Sequence, residues 1–204
     1  MAKTFNYQGV AITWFGHSSF LLEHGEEAIY IDDYAARGTE RKASIIIHTH
    51  SHYDHCASTP MLADSKTVYA GMCGKHARDL IGNRLKIRGV QIEFVEAYNI
   101  TKPFHPKGTG CGVIITLGGV RIYHAGDTDF IPEMAQVRCD VALLPIGGHY
   151  TMDEKEAADA VKAITPKVAI PMHYDYISNT KADAGYFKKL VESNFSNTKI
   201  VILG

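Results

Sequence analysis

His48-Thr49-His50-Ser51-His52-Tyr53-Asp54-His55 is the stretch that decides how the rest of the chain is interpreted, because four histidines and one aspartate fall within eight residues. The β-branched run 45–47 directly before it predicts a buried strand, so the polar residues would follow where a core strand ends. On extended backbone His50 and His52 point to the same side. Imidazole nitrogens and carboxylate oxygens both bind borderline divalent metals, so the stretch predicts a metal site.

The number of metals remains open from this stretch alone. A single ion would use only part of the set. Two adjacent ions would divide it into the pair His50 and His52 and the pair Asp54 and His55.

Length and composition predict an ordinary globular protein. The chain has 204 residues, 46% of them hydrophobic and 21% charged, which is long enough for a substantial core, and we expect a single domain over 1–204. A net charge of −1 gives no support for a nucleic-acid or membrane-surface partner. No apolar run approaches the ~20 residues that span a bilayer, and the first residues lack an apolar signal core, so we expect a cytoplasmic location.

The cysteines do not indicate a second metal site. None of Cys56, Cys73, Cys111 and Cys139 forms a Cys-x-x-Cys pair, which excludes a zinc ribbon. In a reducing compartment we expect them to be free thiols.

Apolar or alternating runs predict strands over 10–15, 19–22, 28–31, 45–47, 67–70, 90–95, 112–117, 120–124, 141–144, 168–173 and 200–203. Helices are predicted after Thr59-Pro60, over 74–81, after Asp153 with Glu156 as its capping-box partner, and over 182–193. The segment 98–110, which contains two prolines and two glycines, predicts an ordered loop that holds His105 between Phe104 and Pro106.

Polar residues recur where the predicted strands end. If one edge of the sheets carries the chemistry, the strands would serve as rigid supports for these side chains. A carboxylate at the end of a core strand needs a partner, so in Asp32-Asp33 the first aspartate could orient the loop that carries the candidate ligands after the 45–47 strand. The residues at these positions are Asp32, His50, His52, Asp127, His149 and His173.

The motif Thr49-His50-x-His52-x-Asp54-His55 resembles the signature of the metallo-β-lactamase fold superfamily. The stretches 123–128, 144–148 and 170–174 further resemble the UlaG-like, UPF0173 group of metal-dependent hydrolases. The resemblance spans His17 to His173. It implies an α/β (α+β) fold, a four-layer αββα sandwich of two mixed β-sheets flanked by helices.

The resemblance also implies roles for individual residues. Metal one would be held by His50, His52 and His105, and metal two by Asp54, His55 and His173, with Asp127 bridging. In related members the third histidine of metal one follows its strand more closely, where this chain has Tyr98 and Asn99. His105 is assigned because it is the only histidine between His76 and His124.

Further residues are candidates for a part in the chemistry. Asp54 could orient the attacking hydroxide, and His124 could support the site or be a satisfied core histidine. His149 could line the substrate cleft or cap a turn, and His17 could support a ligand or bond only to backbone. Asp129 is expected to be solvated, and His48 to be a buried strand residue.

The implied function is hydrolysis of an ester, lactone or phosphodiester by hydroxide held on two divalent ions, which could be Zn, Mn or Fe. The expected partner is a small-molecule substrate, with no nucleic acid, no membrane and a possible homo-oligomer. Alternatives are a metal-binding or sensing protein without turnover and a nuclease of the same fold. A diiron oxygen reductase is disfavoured, since those enzymes have a glutamate in place of His52 and an appended flavin domain. Lys102, Lys107 and Arg121 are candidates to meet a phosphate.

Overall fold

Two β-sheets face each other across a shared apolar core. The computed structural model describes residues 3–37, 41–56, 61–71, 77–194 and 197–204. The first sheet has its strands in sequence order, with β1 to β4 antiparallel and β4, β5 and β6 parallel. These strands are β1 (Lys3–Tyr7), β2 (Val10–Gly16), β3 (Ser19–His24), β4 (Glu27–Ile31), β5 (Ile45–His48) and β6 (Val68–Gly71).

The second sheet is also mixed and has the order β13-β12-β11-β10-β9-β8-β7. Strands β7 to β10 are antiparallel neighbours, and β10 to β13 are parallel. Its strands are β7 (Arg84–Ile87), β8 (Val90–Ala97), β9 (Gly110–Leu117), β10 (Val120–His124), β11 (Val141–Pro145), β12 (Val168–Met172) and β13 (Lys199–Ile200).

The alternation of side chains along the strands explains why the sheets stack. Ile29 and Ile31 of β4 lie with Ile92 and Phe94 of β8 in the core cluster between the sheets, all of them almost completely buried. Successive residues of a strand face opposite sides, so Tyr30 instead joins a smaller cluster on the outer face of the first sheet. In the described ranges, that outer cluster is completed by non-helical segments around Ala36, Ala43 and Leu62.

Two α-helices, α1 (Glu154–Ile164) and α2 (Ala184–Asn194), pack beside each other on the second sheet. The predicted capping box at α1 is confirmed. Asp153 Oδ1 accepts the backbone N–H of Glu156 at 2.8 Å, and Glu156 Oε2 accepts that of Asp153 at 3.0 Å. The two mixed sheets with their helices confirm the predicted fold class. Neither α-helix in the described ranges has the length and apolar character that crossing a bilayer requires.

Some local predictions differ from the structure. Strands β1 and β7 were not predicted, and β13 covers only the start of the predicted 200–203 strand. The described part of the predicted 74–81 helix is a 3-10 turn over Ala77–Asp79, while the helix expected after Thr59-Pro60 begins outside the described residues. Cys56 is disulfide-bonded, so the expectation of free thiols is wrong there, whereas Cys111 and Cys139 are free.

Candidate metal centre

The loop after β5 is held by one buried carboxylate from the end of β4. Asp32 Oδ1 accepts the backbone N–H of Thr49 at 2.8 Å, and Oδ2 accepts the Thr49 hydroxyl at 2.7 Å. The same Oδ2 lies 2.7 Å from His55 Nδ1, which leaves the other ring nitrogen of His55 for the site. Asp33 instead contacts His48 Nε2 at 3.0 Å. Asp32 therefore orients the ligand loop.

The first group of candidate ligands is His50, His52 and His105. Nδ1 of His52 lies 3.1 Å from His50 Nε2 and 3.2 Å from His105 Nε2. Metal–nitrogen bonds of about 2.0–2.1 Å at tetrahedral or octahedral angles place two ligand nitrogens roughly 3 Å apart. The three nitrogens therefore have the spacing of ligands to one ion, in the set predicted for metal one.

Asn99 fixes the orientation of His105. Its Oδ1 accepts the backbone N–H of His105 at 2.9 Å and lies 3.1 Å from His105 Nδ1. Its backbone N–H donates to the carbonyl of His105 at 2.8 Å. A hydrogen bond at Nδ1 directs Nε2 toward the metal position, since the partner of one ring nitrogen sets the role of the other.

The second group contains His17, Asp54, His55 and His173, whose candidate ligand atoms all lie within 4.8 Å of one another. His17 was left open by the sequence. Its Nε2 is 3.0 Å from Asp54 Oδ2, and its carbonyl accepts the backbone N–H of His173 at 2.9 Å. The turn between β2 and β3 is thus part of the site.

Asp127 lies between the two groups. Its Oδ2 is 2.9 Å from His173 Nε2 and 3.3 Å from His105 Nε2, and its Oδ1 is 3.3 Å from His55 Nε2. One carboxylate therefore reaches a member of the first group and two of the second. This is the position that a bridging ligand requires.

The candidate ligand atoms do not satisfy one another's hydrogen-bonding capacity, and divalent metals would. Buried atoms without a hydrogen-bond partner include His55 Nε2, His173 Nε2 and Asp127 Oδ1. His55 Nε2 lies 3.3 Å from Asp127 Oδ1, and His173 Nε2 lies 2.9 Å from the other carboxylate oxygen, Oδ2. Burial of an unpaired polar atom is unfavourable by roughly 1–3 kcal/mol. Two ions would use these orphaned atoms.

The electrostatics keep the first group ready for a cation. Burial lowers the pKa of His50 well below its ordinary value and also lowers the pKa of His105, which favours the neutral form of both rings. Burial would raise the pKa of Asp127, but His173 and His55 lower it well below its usual range. Burial would lower the pKa of His55, yet Asp127 and Asp32 raise it well above the ordinary value. Neutral imidazoles and an ionised carboxylate are the forms that bind metal, so His55 would have to release a proton when a metal binds.

Three residues of the site have left-handed backbone although they are not glycine. They are His17 (φ 51°), Asp32 (φ 49°) and His173 (φ 55°), and each is buried. Such conformations are unfavourable by about 1–3 kcal/mol and cluster at functional sites.

Two residues predicted to take part in the chemistry do not belong to the groups of candidate ligand atoms found in the described ranges. His124 is buried, with Nε2 2.9 Å from the Ser18 carbonyl and Nδ1 accepting the Gly126 N–H at 3.2 Å. His149 is exposed and its ring packs against Phe104 and Tyr150. Their catalytic roles stay predictions.

A cavity of about 240 Å³ opens over the ligands. Metal-site members that line it include His52, Asp54, His105, Asp127 and His173. The remaining lining residues are Tyr53, Phe104, Tyr150 and Ile177.

Sequence reasoning missed the support around His105. Asp129 was expected to be solvated, but it is buried and accepts hydrogen bonds from Asn99 Nδ2 at 2.9 Å, the Ile100 N–H at 2.8 Å and Lys102 Nζ at 2.7 Å. The signal that could have found it is the second aspartate in Asp127-Thr128-Asp129. It follows the same buried strand as Asp127, so it also needs a charged or polar partner.

The comparisons with known proteins agree with this geometry. The chain matches the family model of the β-lactamase superfamily domain over residues 11–173, and it therefore belongs to that superfamily.

Within the superfamily, its relatives include UPF0173 metal-dependent hydrolases, which confirms the resemblance to the UPF0173 group. The chain is 37% identical to the protein of this name from Staphylothermus marinus, over 94% of this chain and 95% of that protein. The corresponding protein of Thermococcus kodakarensis is also 37% identical, over 89% of this chain and 92% of that protein. A metallo hydrolase from Ignicoccus hospitalis has a similar structure, with a TM-score of 0.76, 30% identity, and coverage of 95% of this chain and 94% of that chain.

Proposed function

We propose that this chain is a metal-dependent hydrolase that uses two divalent ions to cleave an ester, lactone or phosphodiester bond. The observation that carries the proposal is the position of Asp127, whose carboxylate reaches both ligand groups. His50, His52 and His105 would hold the first ion, and Asp54, His55 and His173 the second.

When bound, such ions lower the pKa of water toward neutrality and polarise the oxygen of the scissile group. The chain's own residues position what reacts. Asp54 lines the cavity, and burial would raise its pKa, but the hydrogen bond with His17 and the charge of His55 lower it. An ionised Asp54 can accept a hydrogen bond from the attacking water and orient it toward the substrate.

Asp127→Asn tests the proposal. The amide keeps the shape of the side chain but loses the charge that two cations require, so we expect loss of at least one metal and a fall in turnover of at least ~100-fold. Metal content would be measured by elemental analysis after loading with Zn²⁺ or Mn²⁺. Turnover would be measured on a panel of esters, lactones and phosphodiesters.

Asp159→Asn is the matched control, because Asp159 is exposed on α1, outside the site. It should retain metal and activity. Two metals and full turnover in Asp127→Asn would overturn the ligand assignment. Metal binding by the unaltered protein with no turnover on the whole panel would favour the sensing alternative, and activity confined to nucleic acids would favour the nuclease.

A further inference from the structure

We propose that the substrate is an uncharged carboxylic ester or lactone with an apolar or aromatic group, and not a compound held by a remote phosphate. This inference rests on the proposed hydrolase function. It is drawn from the walls of the cavity over the metal ligands.

One wall of the cleft is aromatic. Phe104 and Tyr150 line the cavity and pack edge to face, with ring centroids 4.8 Å apart. The His149 ring contacts both: it is tilted against Phe104 with ring centroids 5.1 Å apart and edge-on to Tyr150 at 4.6 Å. This wall therefore offers apolar ring surface, and the contacting rings hold one another in place.

A second aromatic group flanks the ligand loop. Tyr53 lines the cavity and stands in the sequence between the candidate ligands His52 and Asp54. It is 70% exposed to solvent. Tyr34 packs against Tyr53 at 5.9 Å and against Tyr176 at 6.3 Å, and Ile177 adds an aliphatic surface to the cavity. An exposed aromatic residue beside a polar centre is suited to contact an apolar part of a ligand.

Cationic side chains are absent from the cavity lining within the described ranges. The three cations that the sequence offered for a phosphate all have carboxylate partners elsewhere. Lys102 Nζ lies 2.7 Å from Asp129, Lys107 Nζ 2.8 Å from Glu133, and Arg121 2.7 Å from Glu93. A phosphate remote from the metals would therefore lack the charge-assisted donors that such groups use.

The size of the cavity agrees with a small substrate. Its volume of about 240 Å³ lies just below the ~300–1,000 Å³ of typical ligand pockets. In the reaction, the bond between the acyl carbon and the leaving oxygen breaks, and the oxygen of water bonds to the acyl carbon. One proton of that water goes to the leaving oxygen to give the alcohol, and the other leaves when the carboxylic acid ionises.

A matched pair of esters tests the inference in the metal-loaded protein. 4-Nitrophenyl butyrate and 4-nitrophenyl hemisuccinate have the same leaving group and acyl chains of equal length, but the second carries a carboxylate. We expect kcat/KM to be at least ~10-fold higher for the butyrate, because the carboxylate would be desolvated without a partner. Bis(4-nitrophenyl) phosphate should be the poorer substrate as well.

Two variants make the test specific to the walls. Tyr53→Ala should raise KM for the butyrate about fivefold with little change in kcat, whereas Tyr69→Ala, which removes a tyrosine exposed on β6, should change neither. Ile177→Lys supplies the missing cation and should raise kcat/KM for the hemisuccinate about tenfold.

The outcomes separate the two proposals. Equal or higher kcat/KM for the hemisuccinate or the phosphodiester would overturn this inference and leave the hydrolase function standing. No turnover of any compound above the Asp127→Asn blank would overturn the hydrolase function, and the inference with it.

Discussion

At the scale of single residues, the candidate ligand His105 is held in its orientation by neighbouring side chains. It lies on a loop, and Asn99 bonds to both its ring and its backbone. Asn99 in turn donates to Asp129, and Asp129 pairs with Lys102. A chain of side chains thus connects a lysine outside the cavity to the first metal position.

Asn99→Ala tests this chain. Without the Asn99 acceptor, His105 can rotate or change tautomer, so we expect the affinity of the first metal site to fall roughly 10–100-fold. Competition with a chromogenic chelator would measure it. Asn194→Ala is the control, since that amide donates to the Leu190 carbonyl at the exposed end of α2, outside the site. Unchanged metal affinity in Asn99→Ala would show that Asn99 does not position the ligand.

At the scale of elements, the sequence predicted those features that depend only on residues close together in the chain. The strand pattern of β8 and the capping box at Asp153 are local, and both are confirmed. The contact of His17 with Asp54 joins residues 37 positions apart, and Asp129 is buried by partners up to 30 positions away. No local pattern encodes such contacts, so these two residues were left open or misplaced.

The loops that follow the neighbouring parallel strands β11 and β12 are in tight contact, at Gly147 and His173. A Cβ added to Gly147 would clash with the His173 carbonyl. Gly147→Ala should therefore displace His173 and lower the affinity of the second metal site at least ~10-fold, measured by metal titration. Gly185→Ala, in α2 with an exposed aspartate as its nearest neighbour, should leave metal binding unchanged. Equal metal affinity in both variants would contradict this account of His173.

At the scale of the whole molecule, the candidate ligands come from both sheets. His50, His52, Asp54 and His55 follow β5 of the first sheet, whereas Asp127 and His173 follow β10 and β12 of the second. Bound ions would therefore join the two halves of the sandwich.

Removal of metal should lower the stability of the entire fold. A ligand at a hundred times its Kd stabilises the native state by about 2.7 kcal/mol. For a chain of this size that corresponds to a fall in Tm of roughly 5–10 °C after dialysis against a chelator, measured by calorimetry. Asp127→Asn should show a smaller fall in Tm after the same dialysis, because it is expected to hold less metal. A Tm that does not respond to metal would contradict a role for the ions in joining the sheets.

At His17, Asp32 and His173, the left-handed backbone makes fold stability and retention of the site's side chains conflict. Glycine adopts such φ values far more readily, so glycine at these positions would relieve backbone strain. It would also remove an imidazole or carboxylate from the centre. Engineering this scaffold for heat resistance alone would thus tend to erase its chemistry, and any such programme should retain these three side chains from the outset.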